Sequence, residues 1–158
     1  MTVPSLRVLL VDDDDIVRAA LEISLARQDR VETVGSVATG EEAILAADRL
    51  VPDLIILDLG LPGLSGMDTM RSIIKSLPRV RIVVLSATQS PEQIRQAFDA
   101  GAAGYVFKQS SGIDLLEAVQ AVIAGHQYTS PVVRRNLTSA DGARIQLPGA
   151  PFPASNAS

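Results

Sequence analysis

Five times along this chain a short apolar, β-branched run gives way to an amphipathic stretch with its own start and stop signals, and few folds accommodate that alternation. The runs are Leu6 to Val11, Val31 to Val37, Leu54 to Leu57, Arg81 to Leu85 and Gly104 to Phe107. Four of them are dense in Val, Ile and Leu, as strands covered on both faces must be. Between them lie helix signals. Thr39-Gly40-Glu41-Glu42 and Ser90-Pro91-Glu92-Gln93 have capping-box spacing, with proline at the first helical position of the second, where its missing N–H does no harm. Ser65 with Asp68 opens a third helix, Pro78 lies past its end, and Gly101 and Gly125 stand where helix C-caps belong. Parallel strands need such crossovers, so the pattern predicts an α/β protein: a flavodoxin-like, doubly wound (βα)5 fold with a five-stranded parallel sheet of order 2-1-3-4-5.

At 158 residues and 47% apolar the chain can bury one core of ordinary size. Residues 1–125 are expected to form that domain. Residues 126–158 read as linker and tail, partly disordered, with Ser130-Pro131 as a possible short helix start through Leu137 and a Pro/Ala/Ser/Gly-rich stretch from Ala140. Residues 1–130 hold 11 basic and 17 acidic side chains, a balance that argues against a nucleic-acid surface. Cysteine is absent, which excludes disulfides and thiolate metal sites. No apolar stretch approaches the roughly 20 residues of a membrane span, and Met1 to Arg7 lacks the pattern of a signal peptide. The expectation is a cytoplasmic protein without membrane contact.

In a doubly wound sheet ligands bind outside the carboxyl ends of the strands, and here those ends carry chemistry. The first strand runs into Asp12-Asp13-Asp14-Asp15, the third into Asp58, the fourth into Ser86 and the fifth into Lys108. Clustered carboxylates repel one another unless a cation sits among them, and oxygen ligands without His or Cys favour Mg²⁺ or Mn²⁺. Such a metal neutralises an incoming phosphoryl group. Lys108 would pair with a phosphoryl oxygen, Ser86 would donate to another, and Asp58 would act as a nucleophile forming an acyl phosphate. Asp14 and Asp15 read instead as caps of the first helix.

These residues resemble the receiver domain of two-component response regulators, through LLVDDDDIVRAAL, PDLIILDLGLPGLSGMD, IVVLSA and AGAAGYVFKQ, in that order between about Leu6 and Gly125. The resemblance implies that Asp12 and Asp13 hold Mg²⁺ with the Gly60 carbonyl, that Asp58 is the phosphoacceptor, Ser86 the switch hydroxyl, Lys108 the phosphoryl-binding lysine and Tyr105 the aromatic switch. It implies a sensor histidine kinase as phosphodonor and a switch rather than an enzyme, beyond self-catalysed phosphorylation and slow dephosphorylation. The stretch from Leu115 to Arg135 is similar to the LuxR/NarL-type subgroup, which normally regulates transcription through a C-terminal helix-turn-helix. That implies DNA contact only through an output domain missing from this sequence, or else a stand-alone receiver, with a homodimer face on the fourth helix, fifth strand and fifth helix, or on the fifth helix alone.

Two other readings are open at this level. Asp12-x-Asp14 after the first strand has the spacing of a haloacid-dehalogenase-type phosphatase nucleophile, with Asp12 attacking, although no acidic pair follows Lys108. A flavin carrier is poorly supported by three Phe, two Tyr and no Trp. Gly60-x-x-Gly63-x-x-Gly66 lacks a dinucleotide-binding context and reads as a flexible loop beside Asp58. His126 reads as exposed, and Leu115, Leu116, Val119 and Ile123 as the buried stripe of the fifth helix.

Overall fold

A computed structural model of the chain describes residues 5–109, 112–131 and 134. The expected tail from Ala140, and the short helix toward Leu137 beyond Arg134, lie outside the described residues. The elements alternate as the sequence predicts: β1 (Leu6–Val11), α1 (Asp15–Ala26), β2 (Val31–Val37), α2 (Gly40–Leu50), β3 (Leu54–Asp58), α3 (Gly66–Ser76), β4 (Arg81–Ser86), α4 (Pro91–Asp99), β5 (Gly104–Phe107) and α5 (Gly112–Ile123). A sixth strand, β6 (Tyr128–Thr129), adds to the five expected. The chain divides into two compact units between Ile82 and Val83.

In the first unit β1 pairs in parallel with β2 on one side and β3 on the other. A bulge interrupts the β1–β2 ladder, where the register steps from Val8↔Thr33 to Leu9↔Gly35 and leaves Val34 as the extra residue. The β1–β3 ladder is regular from Val8↔Leu54 to Val11↔Leu57. Val8 to Val11 and Leu54 to Leu57 are all buried, which explains why neither strand alternates polar and apolar residues. Leu25 of α1, Ala43, Ala46 and Ala47 of α2, and Met70 and Ile73 of α3 complete this core.

The caps fall where side-chain acceptors are available. Asp14 accepts from the N–H groups of Ile16 and Val17, Thr39 from Glu42, and Ser65 from Asp68. The C-terminus of α2 is unusual. It ends on Val51 in the left-handed region at φ 47°, a conformation that crowds a β-branched side chain. The Arg7 guanidinium holds this turn by donating to the carbonyls of Leu50 (2.5 Å) and Val51 (3.0 Å), while the Arg7 N–H donates to Asp53 Oδ2 at 2.8 Å.

In the second unit β4, β5 and β6 run parallel in that order. Ser90 caps α4 through the Gln93 N–H, with Pro91 at the first position. Gly101 and Gly125 end α4 and α5 at φ 112° and 90°, and each closes a Schellman motif through Ala102 N–H to Ala97 and His126 N–H to Ala121. The buried stripe of α5 differs from the expected one. Leu115, Ala118, Val119 and Val122 are buried, Leu116 is half-buried and Ile123 is 41% exposed. The helical period counted from Leu115 falls on Ala118 and Val122, a small-residue alternative that the large apolar residues mask in the sequence.

β6 falls in the segment that the sequence assigns to the linker, because two residues before a Ser-Pro carry no periodicity. Tertiary hydrogen bonds create it. Tyr128 N–H donates to Ala103 (3.1 Å), Ser130 N–H donates to Tyr105 (3.0 Å), and Ser130 Oγ accepts from Phe107 N–H (3.1 Å).

The left-handed turn at Val51 gives a stability test. Val51 is 55% exposed, so glycine there removes little buried area while relieving the clash. Val51→Gly is expected to raise unfolding free energy by about 0.5 to 1 kcal/mol. Urea denaturation checks it; an unchanged or lower midpoint would show that the turn is not strained.

Candidate functional site

The β1–β3 register is what builds the acidic end of the first unit. Val11 pairs with Leu57, so the next residues, Asp12 and Asp58, emerge side by side from two buried strands. Asp12 is fully buried, Asp58 is 3% exposed and Asp13 is exposed. Carboxylate oxygens of Asp12, Asp13 and Asp58 all lie within 4.8 Å of one another.

Backbone donors orient the two buried carboxylates. Asp58 Oδ1 accepts from Gly60 N–H at 2.8 Å, and Asp12 Oδ1 accepts from Asp14 N–H at 2.9 Å. Gly60 therefore touches the Asp58 carboxylate through its N–H, a contact that sequence reasoning, which points only to its carbonyl, misses. It misses Arg18 of α1 as well: Nη1 of this arginine donates to the Asp12 carbonyl at 2.5 Å and Nη2 pairs with Asp15. An arginine one turn into a helix gives no sign in the sequence that it will reach back to the strand end. Asp14 and Asp15 are spent on the cap and on Arg18, so they stand apart from the three converging carboxylates.

Like charges this close repel one another, and a cation among them relieves that repulsion. The all-oxygen donor set fits a hard divalent cation, Mg²⁺ or Mn²⁺, which takes one or two carboxylates and keeps waters. The residues that would hold it are Asp12, Asp13 and Asp58.

In the second unit Ser86 closes β4 and is 2% exposed. Its Oγ accepts from Thr88 N–H at 3.1 Å and from Gln93 Nε2 at 3.4 Å. Neither partner stands out in the sequence, where Gln93 counts only as a capping residue. Tyr105 is fully buried, its ring turned inward, and its hydroxyl donates to the Thr88 carbonyl at 2.9 Å. Lys108 follows β5 directly and is half-buried, with its N–H donating to the Ser86 carbonyl at 2.7 Å. One network thus joins Ser86, Thr88, Gln93, Tyr105 and the backbone of Lys108.

Known proteins resemble the chain over most of its length. Residues 8–120 match the family described as the response regulator receiver domain. The chain is 33% identical over 132 residues to response regulator GacA of Pseudomonas viridiflava, covering 84% of this chain and 62% of that one. It is thus similar to part of a longer protein. A two-component response regulator of the LuxR family from Aurantimonas sp. SI85-9A1 superposes with a TM-score of 0.82 at 32% identity, over 85% of this chain and 96% of that one. RcsB from Salmonella enterica serovar Typhimurium, bound to promoter P1flhDC in the presence of the phosphomimetic BeF3-, superposes at 0.79 with 28% identity, over 84% and 66% of the two chains.

The tyrosines report on the second unit. Burial raises the Tyr105 phenol above its ordinary value of 10.0, an effect the Ser86 hydroxyl partly offsets. Burial also raises Tyr128, aided by the Asp114 charge and the hydrogen bond its hydroxyl donates to Glu117 (3.1 Å). A raised folded value means the neutral phenol stabilises the fold fully below pH 10.0, and that this stability is lost as pH rises through the folded values. At pH 10.0 the folded protein is expected to show far less tyrosinate absorbance than the same chain in denaturant. Equal ionisation of the two would overturn this.

Proposed function

The chain belongs to the response regulator receiver family, and from that premise we propose that it is a phosphorylation-driven switch whose acceptor is Asp58. The observation that carries the proposal is the convergence of Asp12, Asp13 and Asp58 at the paired ends of β1 and β3. Mg²⁺ or Mn²⁺ held there would neutralise the incoming phosphoryl charge.

The chain's own residues do the rest. The hydrogen bond from Gly60 N–H to Oδ1 fixes the plane of the Asp58 carboxylate. A carboxylate oxygen attacks phosphorus, the bond from phosphorus to the imidazole nitrogen of a sensor kinase's phosphohistidine breaks, and an acyl phosphate forms on Asp58 while the imidazole keeps the bonding electrons. Water later attacks the same phosphorus, the bond from phosphorus to the Asp58 oxygen breaks, and inorganic phosphate leaves with the carboxylate restored, so the protein resets without being an enzyme acting on a separate substrate.

Family resemblance assigns Lys108 and Ser86 to oxygens of the transferred group and Tyr105 to the readout of Ser86. The network of Ser86, Thr88, Gln93 and Tyr105 supports that assignment, because a turn of the Ser86 hydroxyl gives up its bonds from Thr88 and Gln93 and so acts on α4 and on the Tyr105 ring. The output is a population shift of the α4, β5 and α5 surface, with a homodimer through that face or α5. In a longer protein a helix-turn-helix would carry the signal to DNA; the similar RcsB is itself bound to a promoter.

Incubation with acetyl phosphate and Mg²⁺ followed by mass mapping tests the acceptor. A single adduct on Asp58 is expected, and one on Asp12 would overturn the reading in favour of a phosphatase-type nucleophile. Asp58→Ala is expected to abolish labelling. Asp14→Ala is expected to leave most of it while lowering stability by about 1 kcal/mol through loss of the α1 cap.

A further inference from the structure

Gly66 opens α3 directly against the backbone of the acceptor strand. A Cβ built on Gly66 would lie 2.5 Å from the Asp58 carbonyl oxygen, 2.5 Å from Leu59 Cα and 3.0 Å from the Leu59 carbonyl carbon. Real Cβ atoms essentially never come within 3.0 Å of such neighbours. These neighbours are main chain, so no rotamer change can relieve the overlap. Gly66 is not held by a positive φ, since Gly63 is the glycine of this loop that adopts one, at 72°. Space, rather than backbone freedom, makes residue 66 glycine.

The consequence falls on the carboxylate. Asp58 is the last residue of β3 and Leu59 the first of the loop, so the peptide that Gly66 contacts is the one immediately after the acceptor's Cα. Gly60, whose N–H orients Oδ1, is the next residue along. The other end of the short loop is anchored at Ser65, whose Oγ accepts from Asp68 N–H and whose carbonyl accepts from Thr69 Oγ1 at 2.8 Å. Thr69 is fully buried. The first turn of α3 is therefore fixed, and Gly66 lets it press flat against the Asp58–Leu59 peptide.

We propose that Gly66 is a positioning residue for phosphorylation: its missing side chain sets the height of the Asp58–Leu59 peptide and thereby the placement of the Asp58 carboxylate against Asp12 and Asp13. The proposal rests on Asp58 being the acceptor. A methyl group at residue 66 must displace either α3 or this peptide. Mg²⁺ demands near-ideal octahedral geometry, and a misplacement of about 1 Å can cost on the order of 100-fold in rate. The role is distinct from folding because it predicts damage to metal affinity as well as to stability.

The test compares Gly66→Ala with Leu25→Ala, which opens a cavity under α1 at a fully buried residue. Both variants are expected to melt below the wild-type chain. At a temperature where both remain folded by circular dichroism, Gly66→Ala is expected to bind Mg²⁺ at least about 5-fold more weakly, by amide-shift titration, and to label with acetyl phosphate about 10-fold or more slowly. Leu25→Ala is expected to keep both within about 2-fold. If Gly66→Ala alone does not fold, the same measurements are made on it in the Val51→Gly background. Wild-type Mg²⁺ affinity and labelling in folded Gly66→Ala would overturn the proposal, as would an equal loss in Leu25→Ala. Failure of the wild-type chain to label on Asp58, with Mg²⁺ affinity still split between the variants, would overturn the acceptor assignment and leave Gly66 as a determinant of the metal site.

Discussion

Repulsion among three carboxylates is the constraint around which the first unit is built. Oxygens of Asp12, Asp13 and Asp58 approach within 4.8 Å, and a flexible backbone would let them separate. Two fully buried parallel strands deny that escape, because the β1–β3 ladder runs without interruption up to Val11↔Leu57 and delivers the acids at its end. Irregularity is tolerated on the other side of β1, where the half-buried β2 carries the bulge at Val34. The remaining acids of the run are drawn off into the α1 cap and the Arg18 pair, which keeps the cluster at three.

Much of this is legible in the chain itself. Four of the five strand ends are readable because the apolar run stops at a polar residue, and the caps are readable because Asp14, Thr39, Ser65 and Ser90 supply the acceptors that helix N-termini need. The structure lengthens two strands by one residue, to Asp58 and Ser86, so both functional candidates are the last residues of their strands. What cannot be read depends on contacts distant in sequence. Gly60-x-x-Gly63-x-x-Gly66 suggests flexibility, yet only Gly63 has the left-handed backbone of such a loop, and Gly66 is a close-packed contact. Nothing local marks a glycine as tightly packed. Likewise nothing in the sequence ties Thr88 or the capping residue Gln93 to Ser86; they matter because the loop after β4 and the first turn of α4 fold back onto it.

Tyr105 shows how one residue can serve two connections. Its hydroxyl is tied to the Thr88 carbonyl in the loop after β4, while its own carbonyl accepts from Ser130 beyond α5. Ring and backbone thus attach to different segments of the second unit.

The pairing of Tyr128 and Thr129 along β5 also bears on where this domain can be cut. A boundary drawn at Gly125, where the helix signals end, would strip β5 of its neighbour on the side away from β4. The carbonyls of Ala103 and Tyr105 and the N–H of Phe107 would then lose their partners. A bare edge strand of this kind is a template for pairing with another chain. The smallest fragment that keeps β5 covered therefore runs through Ser130, and it leaves at the edge a strand of only two residues, which offers another chain far less to pair with.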